Sequence, residues 1–213
     1  MLVDSAQTAG VLPISMDKDN IDILAFAGHK GLLSAQGLGG LVLSQKIAGE
    51  MIPLVAGGTG SYSHIADMPS ELPDRLEAGT LNLPGIAALS AALDYINGIG
   101  IDAIYGEEMK LLIRLTDGLK DIPGVKIIGP ENPADKCAVA ALDFPAMDNA
   151  IVAARLDEEY GIMTRCGLHC APLAHKTLGT FPGGTVRCSL GHKNTEAEVD
   201  KVLIALKKIT GSR

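Results

Sequence analysis

The run Ile21-Asp22-Ile23-Leu24-Ala25-Phe26 passes almost directly into Gly28-His29-Lys30-Gly31. That junction limits the possible folds more than any other feature. An apolar strand followed at once by a glycine-flanked lysine puts the lysine at a strand's carboxyl edge, where the sites of open α/β sheets form. Leu2-Val3-Asp4 repeats the pattern, reading as the end of a buried strand that finishes on a carboxylate. No capping turn or helix precedes it, and a central strand without its predecessor leaves a sheet edge bare. Residues upstream of Met1 are therefore expected.

Composition agrees with an α/β enzyme. Hydrophobic residues make up 47 % of the 213, but aromatics only 3 % and Trp none, so the core must be aliphatic and closely packed. That length suits one large domain, or one domain and part of another. A net charge of −7 with no basic stripe argues against a nucleic-acid partner. No apolar run approaches the roughly 18 residues of a membrane span. Asp4 follows Leu2-Val3 directly, which is not the start of a secretory signal. Four cysteines (Cys137, Cys166, Cys170, Cys188) in a chain this long are not a disulfide framework. They are read as free thiols in a cytoplasmic, reducing compartment.

Further along, Gly39–Ser44 reads as a third strand, and Gly57-Gly58-Thr59-Gly60 opens a loop that reaches about Leu83. Ile86, Leu89, Leu93 and Ile96 have helical spacing, which Asn97-Gly98-Ile99-Gly100 is expected to break. A long amphipathic helix follows over 101–119, then strands at 125–128 and 138–142 and a helix at 148–159. Arg165 to Gly184 is read as a cysteine-bearing loop, 185–190 as a strand, and Thr195-Glu196-Ala197-Glu198 as a capping box for the last helix. The domain boundary falls near Gly98–Gly100, separating residues 1–98 from an α+β unit of residues 99–213.

Taken alone, Lys30 is an ordinary solvent-facing loop lysine and Asp4 an N-cap or turn residue. Together, at two strand ends, they suit a different chemistry. A lysine that bonds to a carbonyl must be partly desolvated so that its neutral amine is available. Gly28 and Gly31 would let the backbone approach a bulky group closely. A buried carboxylate at Asp4 would keep a ring nitrogen protonated, with Gln7 as a donor to a ring oxygen and His29 as a donor to a phosphate or to the region of the lysine's bond.

These segments, in this order, resemble class V aminotransferases of fold type I, and among them most of all the cysteine desulfurases. The likeness runs through Val3-Asp4-Ser5-Ala6-Gln7, Phe26-Ala27-Gly28-His29-Lys30-Gly31, Gly57–Gly60 and Arg75-Leu76-Glu77-Ala78-Gly79-Thr80. It continues in Arg165-Cys166-Gly167-Leu168-His169-Cys170-Ala171 and Val186-Arg187-Cys188-Ser189. The resemblance implies pyridoxal 5'-phosphate held covalently by Lys30, with Asp4 on the ring nitrogen, Gln7 on the phenolic oxygen and His29 on the cofactor face or phosphate. It makes residues 1–98 the C-terminal part of a large cofactor domain and residues 99–213 the small domain. Arg187 would bind the carboxylate of an amino-acid substrate, Cys170 would take its sulfur, and a dedicated acceptor protein would receive it. Thr80 would reach the phosphate of a partner's cofactor in a homodimer.

Two positions depart from the family. Ala27 stands where a phosphate-binding Ser or Thr is usual, and Ser34-Ala35 where Gly-Pro is common. One lost charge-assisted hydrogen bond costs about 1.5–3 kcal/mol, and Ser34 is the candidate to compensate. The rival readings are an aminotransferase, an epimerase or a selenocysteine lyase of the same class, and an inactive fragment that only dimerises. Cys166, Cys170, Cys188, His169 and His175 would also suffice for a zinc site, although Lys30 and Asp4 would then be unexplained. Cys137 and Cys188 are expected on strands, as packed core thiols.

Overall fold

The computed structural model describes residues 1–62 and 64–211. They form two compact units, Met1–Asp102 and Ala103–Arg213.

In the first unit, β1 (Leu2–Asp4), β2 (Ile23–Ala27) and β3 (Gly39–Leu43) lie in the order β1-β2-β3. β1 and β2 are parallel, with Asp4 opposite Ala25; β3 returns antiparallel, with Gly39 opposite Ala27. The expectation that β1 is buried is not met, since Leu2 is 63 % exposed and Asp4 is exposed as well. The reason is local: β1 has a hydrogen-bonded neighbour on one side only.

A one-turn helix, α1 (Gln45–Ala48), follows the sheet, and α2 (Leu83–Ile99) closes the unit. The Asn82 side chain caps α2 by accepting from the Gly85 N–H at 3.1 Å. Contrary to the sequence expectation, α2 continues through Asn97, Gly98 and Ile99 and stops at Gly100, where φ is 90°. An interior glycine costs a helix only about 1 kcal/mol, which tertiary context overrides. The long loop before α2 is tied at its ends, because the Gly79 N–H donates to Gly58 O at 2.7 Å. Ser61 Oγ donates to Asp74 Oδ2 at 2.6 Å, and the Arg75 guanidinium donates to Ala48 O.

In the second unit, α3 (Ile101–Leu119), α4 (Asn149–Tyr160) and α6 (Glu196–Thr210) accompany a sheet ordered β4-β5-β7-β6. Its strands are β4 (Lys126–Ile128), β5 (Val139–Asp143), β6 (Arg165–Gly167) and β7 (Thr185–Ser189), and every neighbouring pair is antiparallel. Leu111, Leu112, Leu115 and Leu119 form the apolar stripe of α3 and are buried with Leu142, Val152, Leu156, Val186, Val199 and Leu206. Each such side chain contributes about 1.5–3 kcal/mol on burial. The core is aliphatic, as the composition requires, with Phe144 its one fully buried aromatic ring among the described residues.

The capping box at Thr195 and Glu198 forms as the sequence indicates. Two details differ. The segment read as a loop from Arg165 to Gly184 contains β6 and a short helix, α5 (Pro172–Thr177); elements of three and six residues are too short to show a periodicity. Cys137 precedes β5 and is half-buried instead of lying on a strand. Among the described residues no helix is long and apolar enough to cross a membrane.

Candidate active site

Each unit carries one cluster of the expected residues. In the first unit, Asp4 ends β1 and the loop bearing His29 and Lys30 follows β2, so parallel pairing brings both to one edge of the sheet. Ser5 anchors this edge: its N–H and its Oγ both donate to Ala25 O, at 2.8 and 2.7 Å. The lysine turn is held by Leu33 N–H to Lys30 O at 2.8 Å and Ser34 N–H to Gly28 O at 2.8 Å. Lys30 is half-buried, while His29 and Gln7 are exposed.

The glycines beside Lys30 also make room for the chain itself. A Cβ on Gly31 would stand 2.5 Å from Ala9 O and 2.7 Å from Val11 Cγ2, and one on Gly10 would collide with the Gly31 carbonyl. The loops after β1 and β2 therefore interlock backbone to backbone, and it is the chain itself that needs the room. Gly28 is similarly confined, by Leu38 O at 3.1 Å. Asp4 is exposed, not buried, and its Oδ1 accepts the Ala6 N–H at 2.9 Å. Thr80 is exposed at the end of the tied loop.

The second cluster lies on β6 and β7 and in the turn after β6. Arg165 and Arg187 face each other across the strand pair. Like charges directly opposed in a sheet repel, and Arg187 Nε is buried without a partner. Such a pair attracts an anion. Arg165 Nη2 also lies 3.9 Å from Cys170 Sγ.

His169 (φ 50°) and Cys170 (φ 62°) are both left-handed, in a turn closed by the Ala171 N–H to Leu168 O at 2.8 Å. Non-glycine residues are rarely held this way, and such strain concentrates at functional sites. The His169 Nε2 bonds the Arg165 carbonyl at 2.8 Å, so Nε2 carries the hydrogen. Burial keeps the His169 imidazole below its ordinary pKa; the Arg165 carbonyl opposes the shift, and the charges of Arg187, Arg165 and His175 add to it.

The four thiols separate clearly. Burial pushes the Cys188 thiol up to about 12, and it also raises Cys137 and Cys166. Cys170 alone is exposed. The zinc alternative is not assembled: among the described residues no three His, Cys, Asp or Glu side chains gather as metal ligands. Cys188 belongs to the core while Cys170 faces outward.

Comparison with known proteins matches residues 1–202 to the Aminotransferase class-V family. The chain belongs to that family. A probable cysteine desulfurase of Methanothermobacter thermautotrophicus is 36 % identical over 214 residues, covering 99 % of this chain and 53 % of the relative. A cysteine desulfurase of Escherichia coli is 34 % identical, covering 98 % and 50 %. The fold is likewise that of solved cysteine desulfurases, which are fold type I enzymes. The apo structure from Thermococcus onnurineus superposes with a TM-score of 0.89 at 33 % identity, over all of this chain and 52 % of that one. The chain thus spans between about a third and a half of the length of the class V relatives it matches.

Class V membership implies pyridoxal phosphate, and the first cluster fits it. Lys30 has no acidic partner and Asp4 no basic one among the described residues. Beside the lysine turn, the Ser34 Oγ is buried without a hydrogen-bond partner. An amine, a carboxylate, an amide and an imidazole gathered at one sheet edge are the donor and acceptor set that this cofactor requires.

Proposed function

We propose that this chain carries the cofactor lysine and the sulfur-accepting cysteine of a cytoplasmic cysteine desulfurase, which converts L-cysteine to L-alanine. Residues 1–98 are the C-terminal part of the large cofactor domain, and residues 99–213 form the small domain. Pyridoxal phosphate, when bound, supplies the electron sink that loosens the bonds at the substrate Cα.

Lys30 Nζ would hold the cofactor covalently and would take the Cα proton of the substrate. Asp4 would keep the ring nitrogen protonated, Gln7 would donate to the phenolic oxygen, and His29 would lie against the cofactor face or phosphate. Arg187 grips the substrate carboxylate through two parallel hydrogen bonds. The Cys170 thiolate attacks the substrate sulfur; the carbon–sulfur bond breaks, leaving alanine and a persulfide on Cys170 for an acceptor protein. Thr80 completes the partner's phosphate site in a homodimer.

One observation carries this reading: Cys170 alone among the four thiols is exposed, in a strained turn with a guanidinium 3.9 Å from its sulfur. An exposed thiol beside a guanidinium is open to a substrate's sulfur, and an aminotransferase or epimerase has no use for it. In the full-length protein, Cys170→Ser is expected to abolish alanine release from cysteine while the cofactor's visible absorption persists. Retained turnover in that variant removes the desulfurase reading.

A further inference from the structure

His175 is buried on α5 and takes no part in the chemistry above. Its Nδ1 lies 2.7 Å from Thr180 Oγ1, and Thr180 is itself buried. The His175 ring centroid is 5.9 Å from that of His169, with the planes tilted by 46°. Its main chain is occupied as well. The His175 N–H donates to Ala171 O at 3.1 Å, and its carbonyl accepts from Thr180 N–H at 2.9 Å and Phe181 N–H at 3.2 Å. One residue is thereby joined to both neighbours of Cys170: to Ala171 through the backbone and to His169 through the ring.

The turn between those neighbours needs support. A left-handed conformation is unfavourable for a non-glycine residue, and His169 and Cys170 adopt it in succession. The bond from His169 Nε2 to Arg165 O ties the turn to β6 on one side. The His175 ring lies against the His169 ring, held by its bond with Thr180.

We propose that His175, pinned by Thr180, is a positioning residue: it backs the His169 ring and so holds the Cys170 thiol beside Arg165. The proposal rests on the reading of Cys170 as the sulfur acceptor. The charged and titratable groups acting on the His169 ring are Arg187, Arg165 and His175, and Arg165 Nη2 is the one 3.9 Å from the Cys170 sulfur.

The rate of Cys170 alkylation by iodoacetamide at a fixed pH, located by peptide mapping, tests this without any cofactor. Thr180→Val keeps the shape of the side chain but removes its hydroxyl; His175→Phe keeps a ring but removes Nδ1. Both are expected to change the Cys170 rate by about threefold or more while the rates of the other cysteines stay as they were. Thr180→Ser, which retains the hydroxyl, is expected to restore the parent rate. A histidine that merely fills space would lower the unfolding temperature and leave the Cys170 rate where it was. An unchanged Cys170 rate in Thr180→Val overturns the proposal, and that variant decides the matter alone if His175→Phe does not fold. The two readings fail separately, because turnover retained in Cys170→Ser removes the sulfur-accepting role without altering any alkylation profile.

Discussion

Burial raises the Glu108 carboxyl above the usual glutamate range, against the pull of the His192 N–H that it accepts at 3.2 Å. The folded protein therefore holds this proton to higher pH than the unfolded chain does. Its contribution to stability is present below the unfolded pKa and is lost as pH rises through the folded value. Glu108→Gln keeps the acceptor oxygen and carries no charge at any pH. It is expected to be more stable than the parent in urea unfolding near pH 8, and to converge with it below about pH 4. An equal difference at both pH values would show that desolvation of the charge is not what distinguishes the two. At this scale Lys30 and Asp4 were legible because residue type and strand-end position can be read from the chain. The purpose of Gly31 was not, since the Ala9 carbonyl that crowds it comes from a loop about twenty residues away. Nor was the part played by His175, whose partner Thr180 is identified only by the fold.

Among the elements, those with a full period announced themselves. α3 and α6 lie where their apolar spacing and capping box put them, and β7 within one residue of its expected end. β6 and α5 carry too few residues for a pattern and are set by what they pack against. β7 meets β6 with Thr185 opposite Gly167, and a Cβ on the preceding Gly184 would strike the Gly167 backbone. Asn149, at the start of α4, fastens this junction. It accepts the Phe144 N–H at 3.0 Å and donates to both Asp143 Oδ1 and Gly184 O at 3.0 Å. Asn149→Ala leaves a buried N–H and a buried carbonyl unpaired and is expected to cost about 2–3 kcal/mol. Urea denaturation measures it, and a loss of only a few tenths would mean that water takes over those bonds.

For the whole molecule, apolar burial is uneven. Every residue of the hydrophobic core cluster, among those described, lies in the second unit, while Leu41, Val42, Ile52, Leu54 and Val55 of the first are exposed. Thr80→Val is expected to weaken cofactor binding by about 1–2 kcal/mol, the value of one phosphate hydrogen bond. Mixing full-length Thr80→Val subunits with Lys30→Ala subunits should then restore activity at limiting cofactor. Each heterodimer has one site with both defects and one with neither. No recovery despite demonstrated subunit exchange would place Thr80 at its own subunit's site.

The lysine on which the proposed chemistry depends is tested most directly by trapping. The full-length protein is incubated with pyridoxal phosphate, reduced with borohydride and digested, and the phosphopyridoxyl group is located by mass spectrometry. The expected result is a single modified peptide carrying the group on Lys30. A label on any other lysine, or none at all, would contradict the assignment of Lys30 as the residue that holds the cofactor.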